Sequence, residues 1–239
     1  MYREFEEFVL NNYNLKDEGI NVKFYHSKRV ALISKRLAQK LNFNYHDVLL
    51  ATQIGLLHDI GRFYEYTRYG FYDHKNFDHG ALGVKILKKD NFIRKFNVNP
   101  ADDEVLFNAI MNHDKYSIDK KWADNKFCKL IRDTDKIDIL YQIAIKKIRF
   151  NNDNMTISPK VYNAFMNEKP VKYKDINSYA DKVLNILGYI YDINYDESLK
   201  YIVDNNYLDR IYQSLLNKES FKRYFNEVYI YIEKRLNKC

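Results

Sequence analysis

Apolar residues recur along this chain at helical spacing, with few breaks between the runs. From Asn21 to Leu41, one face is lined by Val22, His26, Val30, Ile33, Leu37 and Leu41, with Lys and Arg opposite. That i, i+4, i+8 pattern predicts an amphipathic helix. Tyr2 to Tyr13 gives a shorter one on Phe5, Phe8 and Val9. Tyr45 to Asp59 is denser in apolar residues, with Asn44 placed to cap its start. It ends abruptly in His58-Asp59, and Gly61 follows, where a positive-φ turn would let the chain leave the helix.

From Arg62 to Asp78 the periodicity is lost. The segment is aromatic and charged, and it reads as a lid or pocket wall. Its Tyr and Phe residues from Phe63 to Tyr72 would either stack on a base or simply pack. Asp78 is an N-cap for the next helix, where Gly80, Ala81 and Gly83 suit close helix approach. Pro100 starts a further helix that runs to Asn112-His113-Asp114. Ala123 to Phe150 reads as a long helix interrupted by Asp133, Asp135 and Asp138. After the polar break Asn151–Asn154, helical patterns resume at Tyr162–Met166, Ile176–Tyr191, Glu197–Asp204, Leu208–Leu216 and Phe221–Leu236. The expectation is an all-α chain: a helical domain over 1–150 and a C-terminal helical extension over 151–239, packed on it as pocket wall or oligomer interface, with a homodimer left open.

Composition supports this. Only 7 Gly and 3 Pro occur in 239 residues, which favours long helices and few turns. No apolar run reaches the roughly 18 residues of a membrane span, and MYREFEEF is unlike a signal peptide. Cys128 and Cys239 read as free thiols, which places the chain in a reducing cytoplasm. The net charge of +7 is spread along the sequence among 32 acids, so it argues for anionic small substrates rather than nucleic acid.

The chemistry sits in the histidines. Of six, His26, His58, His79 and His113 fall on the buried stripe or at the ends of four separate helices. A buried His beside a buried Asp is unfavourable unless both are paired, and a divalent metal takes nitrogen and oxygen donors together. His46 reads as a surface residue. His74, in the loop, stays open between ligand, proton donor and neither.

The ordered set His26, Leu56–Arg62 (LLHDIGR), Phe77–Gly80, Asn112-His113 and Arg132–Lys136 resembles the HD-domain superfamily of metal-dependent phosphohydrolases. The resemblance implies an HD-domain helical bundle over about residues 20 to 145. It also implies ligands: His26, His58, Asp59 and Asp135 for a first ion, and His79 and His113, with Asp59 bridging, for a second. Asp133 and Asp138 compete with Asp135 for the last position. The metal is undetermined among Fe, Mn, Co, Ni, Zn and Mg. Asp114 is either an orienting acceptor for His113 or an exposed acid.

In this reading Asp59, Arg62 and Lys136 form the catalytic set. Arg62, Arg68 and Lys115 are the candidate contacts to a small phosphorylated substrate, such as a nucleotide. Arg62 leads, because a guanidinium offers paired donors to phosphate. Two alternatives stand beside the hydrolase. The same ligand pattern resembles the mixed-valent diiron oxygenases of this superfamily, and a non-catalytic nucleotide-binding module would use it as well.

Overall fold

The pattern of apolar stripes becomes a set of helices joined by short turns. The computed structural model describes residues 1–70, 77–145 and 154–237. Among these there is no strand, which fulfils the all-α expectation. No described helix is long and apolar enough to cross a membrane. His74, Phe71, Tyr72, Cys239 and most of the polar break at 151–154 lie outside the described residues.

Two units are distinct, Met1–Asp135 and Lys136–Cys239. Unit 1 contains α1 (Tyr2–Asn12), α2 (Glu18–Lys40), α3 (Tyr45–Leu57), α4 (Ile60–Tyr69), α5 (His79–Lys88) and α6 (Asp103–Asn112). The next helix, α7 (Lys126–Ala144), begins in unit 1 and ends in unit 2. The division therefore falls inside a helix, ahead of the boundary at 150 that the polar break suggests.

In unit 1, α3 is the central element, buried at Val48 and from Leu50 through Leu57. A helix that is apolar on all sides belongs in the interior. It meets α2 backbone to backbone: a Cβ on Gly55 would stand 2.9 Å from Cα of Ala31 and 2.8 Å from Oγ of Ser34. Asn44 caps α3 by accepting from the amide of Asp47 at 2.8 Å. Helix α1 closes one side through Phe5, whose ring stacks on Phe24 at 5.9 Å and meets Phe63 edge-on at 6.0 Å. Phe63 also packs against Tyr13, so at this position the aromatic run after Arg62 is core packing.

Helix α4 corrects two expectations. The segment from Ile60 to Tyr69 is helical rather than irregular, and the glycine that ends it is Gly70, at φ 74°. Gly61 lies within α4 and serves close approach instead: a Cβ there would stand 2.2 Å from the carbonyl oxygen of His79. Gly80 does the same toward Ile110 O, at 2.9 Å. Asp78 caps α5, accepting from the Ala81 amide at 2.7 Å. Pro100 opens a 3-10 turn, Pro100–Asp102, that leads into α6.

Unit 2 holds α8 (Pro159–Met166), α9 (Tyr179–Gly188), α10 (Asp196–Asp204), α11 (Tyr207–Ser214) and α12 (Lys222–Leu236). Its tyrosines pack: Tyr191 against Tyr231 at 4.9 Å, Tyr224 against Phe165 at 5.6 Å. Asp181 is fully buried, yet it accepts from Ser158 N, Ser158 Oγ and Asn177 N at 2.6–2.9 Å, which offsets the desolvation of its carboxylate. Arg235, at the end of α12, ties down Asp196 and the carbonyls of Ile193 and Asn194.

Candidate metal centre

Five helical elements of unit 1 deliver six side chains to one place. His26 comes from the buried face of α2. His58 caps the C-terminus of α3, and Asp59 stands at the break before α4. His79 opens α5, His113 caps α6, and Asp135 comes from α7. The rings are at most 2% exposed, as is Asp59.

The two oxygens of Asp59 serve different imidazole pairs. Oδ2 lies 3.4 Å from His26 Nε2 and 3.5 Å from His58 Nε2. Oδ1 lies 3.2 Å from His79 Nε2 and 3.5 Å from His113 Nε2. Asp135 joins the first pair, with Oδ1 at 3.1 Å from His26 and 3.6 Å from His58. Donor atoms of His26, His58 and Asp59, of Asp59, His79 and His113, and of His58, His113 and Asp135 each lie within 4.8 Å of one another. Of the three competing acids on α7, Asp135 is the one in these groups. Asp133 is fully buried, and Asp138 accepts from Gln142 within unit 2.

The arrangement fits divalent ions. His58 Nδ1 donates to Gly55 O at 2.8 Å, and His113 Nδ1 donates to Ile110 O at 2.6 Å. Each bond fixes the tautomer and leaves Nε2 as a lone pair aimed into the cluster. Those lone pairs meet His26 Nε2 at 3.2 Å and His79 Nε2 at 2.9 Å. Facing nitrogens at that distance need a proton or a cation between them.

Charge states agree at four of the ligands. Burial pushes His58 below its ordinary value and His79 down to about 4, which keeps both neutral. His113 goes the other way: burial alone would lower it, but its contact with Asp59 and the charge of Asp114 raise it above its ordinary value, so a metal there would displace a proton. Burial alone would raise Asp59 and Asp135. The Lys23 ammonium and His58 hold Asp59 well below the carboxylate range, and His26 and His58 do the same for Asp135. Neutral imidazoles and ionised carboxylates are the forms that bind metal.

Surrounding groups set the ligand positions. Ser34 and Thr134 hydroxyls meet at 3.0 Å and register α2 against α7, next to Asp135. Buried Arg132 donates to the carbonyls of Asn112 and Lys115, fixing the C-terminal end of α6 where His113 sits. Asp114 is exposed and stands 3.2 Å from His79 Nδ1 without hydrogen-bond alignment. It therefore sits against His79 and is not a hydrogen-bonded orienter of His113.

The candidate substrate cations fare differently. Arg62 does not emerge toward solvent. It is 2% exposed, its Nη1 bonds Glu65 Oε2 at 2.7 Å, and Glu65 is fully buried. Lys136 bonds Asp192 within unit 2. Lys115 pairs with Asp119 at 2.8 Å, and Arg68 is exposed beside the Tyr69 ring. His46 is a partly exposed surface residue bonded to Asp102.

Two residues at the centre escape the sequence reading. Lys23 Nζ contacts Asp59 Oδ2 at 2.5 Å. Its only signal is its position one turn before His26, on the same face. Glu65 stands i+3 from Arg62, a spacing that carries meaning only once the segment is known to be helical.

A buried His/Asp cluster of this kind, on helices in this order, defines a metal-binding helical domain. The family model of the HD domain matches residues 24–142. The chain belongs to the HD-domain superfamily, whose members bind divalent metals and are generally hydrolases. No curated protein and no solved structure matches the chain.

Proposed function

We propose that this protein is a metal-dependent phosphohydrolase acting on a phosphomonoester or phosphodiester of a small metabolite, such as a nucleotide. One observation carries the reading: the two oxygens of Asp59 face two separate imidazole pairs. A carboxylate so placed could bridge two cations. His26, His58, Asp59 and Asp135 would hold one, and His79, His113 and Asp59 the other. Four imidazoles favour a transition ion over Mg.

Bound there, two divalent ions supply Lewis acidity and a water acidic enough to act as a nucleophile at neutral pH. The chain's own contribution is preorganisation. Backbone carbonyls of Gly55 and Ile110 lock the imidazole tautomers. Asp59 and Asp135 stay ionised in an interior where a fixed charge acts strongly on a phosphoryl group. Arg62, tied to Glu65, keeps a positive charge behind Asp59, with Nε 3.9 Å from Oδ1, and does not clamp the substrate.

Iron also suits this donor set, so the oxygenase alternative is separated by experiment. Purified protein is loaded with Mn, Fe, Co or Mg in turn and offered nucleotides and sugar phosphates under anaerobic conditions. Phosphate release without oxygen supports the hydrolase. Turnover that requires both iron and oxygen, with no phosphate released, overturns it. Unchanged ligand in every arm points to a binding module.

A further inference from the structure

We propose that Lys23 is the substrate-anion contact of this centre, an ammonium that binds a non-bridging phosphoryl oxygen held over Asp59. This rests on the phosphohydrolase reading. Lys23 Nζ lies 2.5 Å from Asp59 Oδ2, so it already touches the bridging carboxylate. An oxygen brought onto the cluster at that carboxylate comes within a hydrogen bond of the ammonium.

Burial separates Lys23 from the other cation at the centre. The side chain of Lys23 is 16% exposed, whereas that of Arg62 is 3% exposed and that of Asp59 2%. Lys23 thus joins the buried cluster to solvent and marks a side from which an anion arrives. Arg62 is held in place by Glu65.

The position on α2 suits the role. Lys23 precedes His26 by three residues, so both side chains lie along one face of the helix. His26 is fixed in the cluster, while Lys23 ends in a flexible four-carbon stem. Its ammonium can follow an incoming phosphate by changing rotamer, with no movement of α2. Lysine binds phosphate as a point charge, which tolerates different esters better than a bidentate fork does.

The rival role is a fixed counter-ion that only neutralises Asp59. Metal-loaded wild type, Lys23→Gln and Lys23→Arg separate the two. Three quantities are read: metal content per chain, orthophosphate binding by calorimetry, and KM against kcat for p-nitrophenyl phosphate. Lys23→Gln should keep its metal and lose about tenfold or more in orthophosphate affinity, the loss expected for one charge-assisted hydrogen bond. KM should rise more than kcat falls, and Lys23→Arg should recover most of the loss. Orthophosphate affinity unchanged in Lys23→Gln overturns the proposal. So does loss of metal in step with phosphate, or the absence of orthophosphate binding in wild type. Lys23-dependent orthophosphate binding by a wild type that hydrolyses no ester would support the contact and sink the hydrolase reading alone.

Discussion

Nε2 of His79 lies 2.9 Å from Nε2 of His113, and both rings are buried. His113 has already committed its Nδ1 proton to Ile110 O. The pair therefore presents nitrogen to nitrogen, next to Asp59 Oδ1, and forms half of a site whose other half is His26, His58, Asp59 Oδ2 and Asp135.

The two halves should empty separately. His79→Ala or His113→Ala is expected to lower bound metal from two ions per chain to one. Elemental analysis after dialysis checks this. Loss of both ions in either variant, with the helical circular dichroism retained, would show a single cooperative site instead.

Helix contacts near the ligands depend on glycines, Gly55 and Gly61 among them. In an exposed helix, Gly→Ala stabilises by about 1 kcal/mol. Gly55→Ala and Gly61→Ala should do the reverse, costing about 1–3 kcal/mol or more, because the new Cβ meets backbone atoms at 2.9 Å and 2.2 Å. Gly188→Ala, with nothing nearer than 3.8 Å, serves as control and should be neutral or slightly stabilising. Urea unfolding of the three variants is the measurement.

Arg62 and Glu65 should behave as a structural pair. Glu65→Ala removes the carboxylate bonded to Nη1 of the buried Arg62 guanidinium and is expected to cost about 3 kcal/mol. Arg62→Ala should lower Tm as well. A raised KM in Arg62→Ala with wild-type Tm would restore Arg62 as a phosphate clamp.

Much of this centre is readable from sequence, because ligands on helix stripes and at helix ends keep their periodic context. His26 sits in a clear apolar face, and Asn44 and Asp78 are caps with recognisable chemistry. Helix α4 is hidden for a physical reason. Its buried side carries the Arg62–Glu65 ion pair beside Ile60 and Phe63, so charges stand where the pattern needs apolar residues. That concealment turned Gly61 into an apparent helix terminator. Lys23 is hidden too, since a lysine on an amphipathic helix reads as solvent-facing unless its carboxylate partner, 36 residues on, is known.

The buried thiol gives a pH test of the fold. Burial pushes Cys128 up to about 11 from an ordinary value of 9.0, so the folded protein holds its proton after the unfolded chain has released it. Its contribution is complete below pH 9 and is lost as pH rises toward 11. Wild type should lose stability over that window more steeply than Cys128→Ala. Equal slopes in denaturant titrations would place the thiol in contact with solvent.

Bound metal per chain in wild type and in Asp59→Ala is the most direct test of the whole account. Wild type purified with Mn or Co available should retain two ions, and Asp59→Ala should retain essentially none and hydrolyse no phosphate ester, while staying helical. An Asp59→Ala protein that keeps both ions, or a wild type that binds none of the divalent metals offered, would contradict a carboxylate-bridged centre.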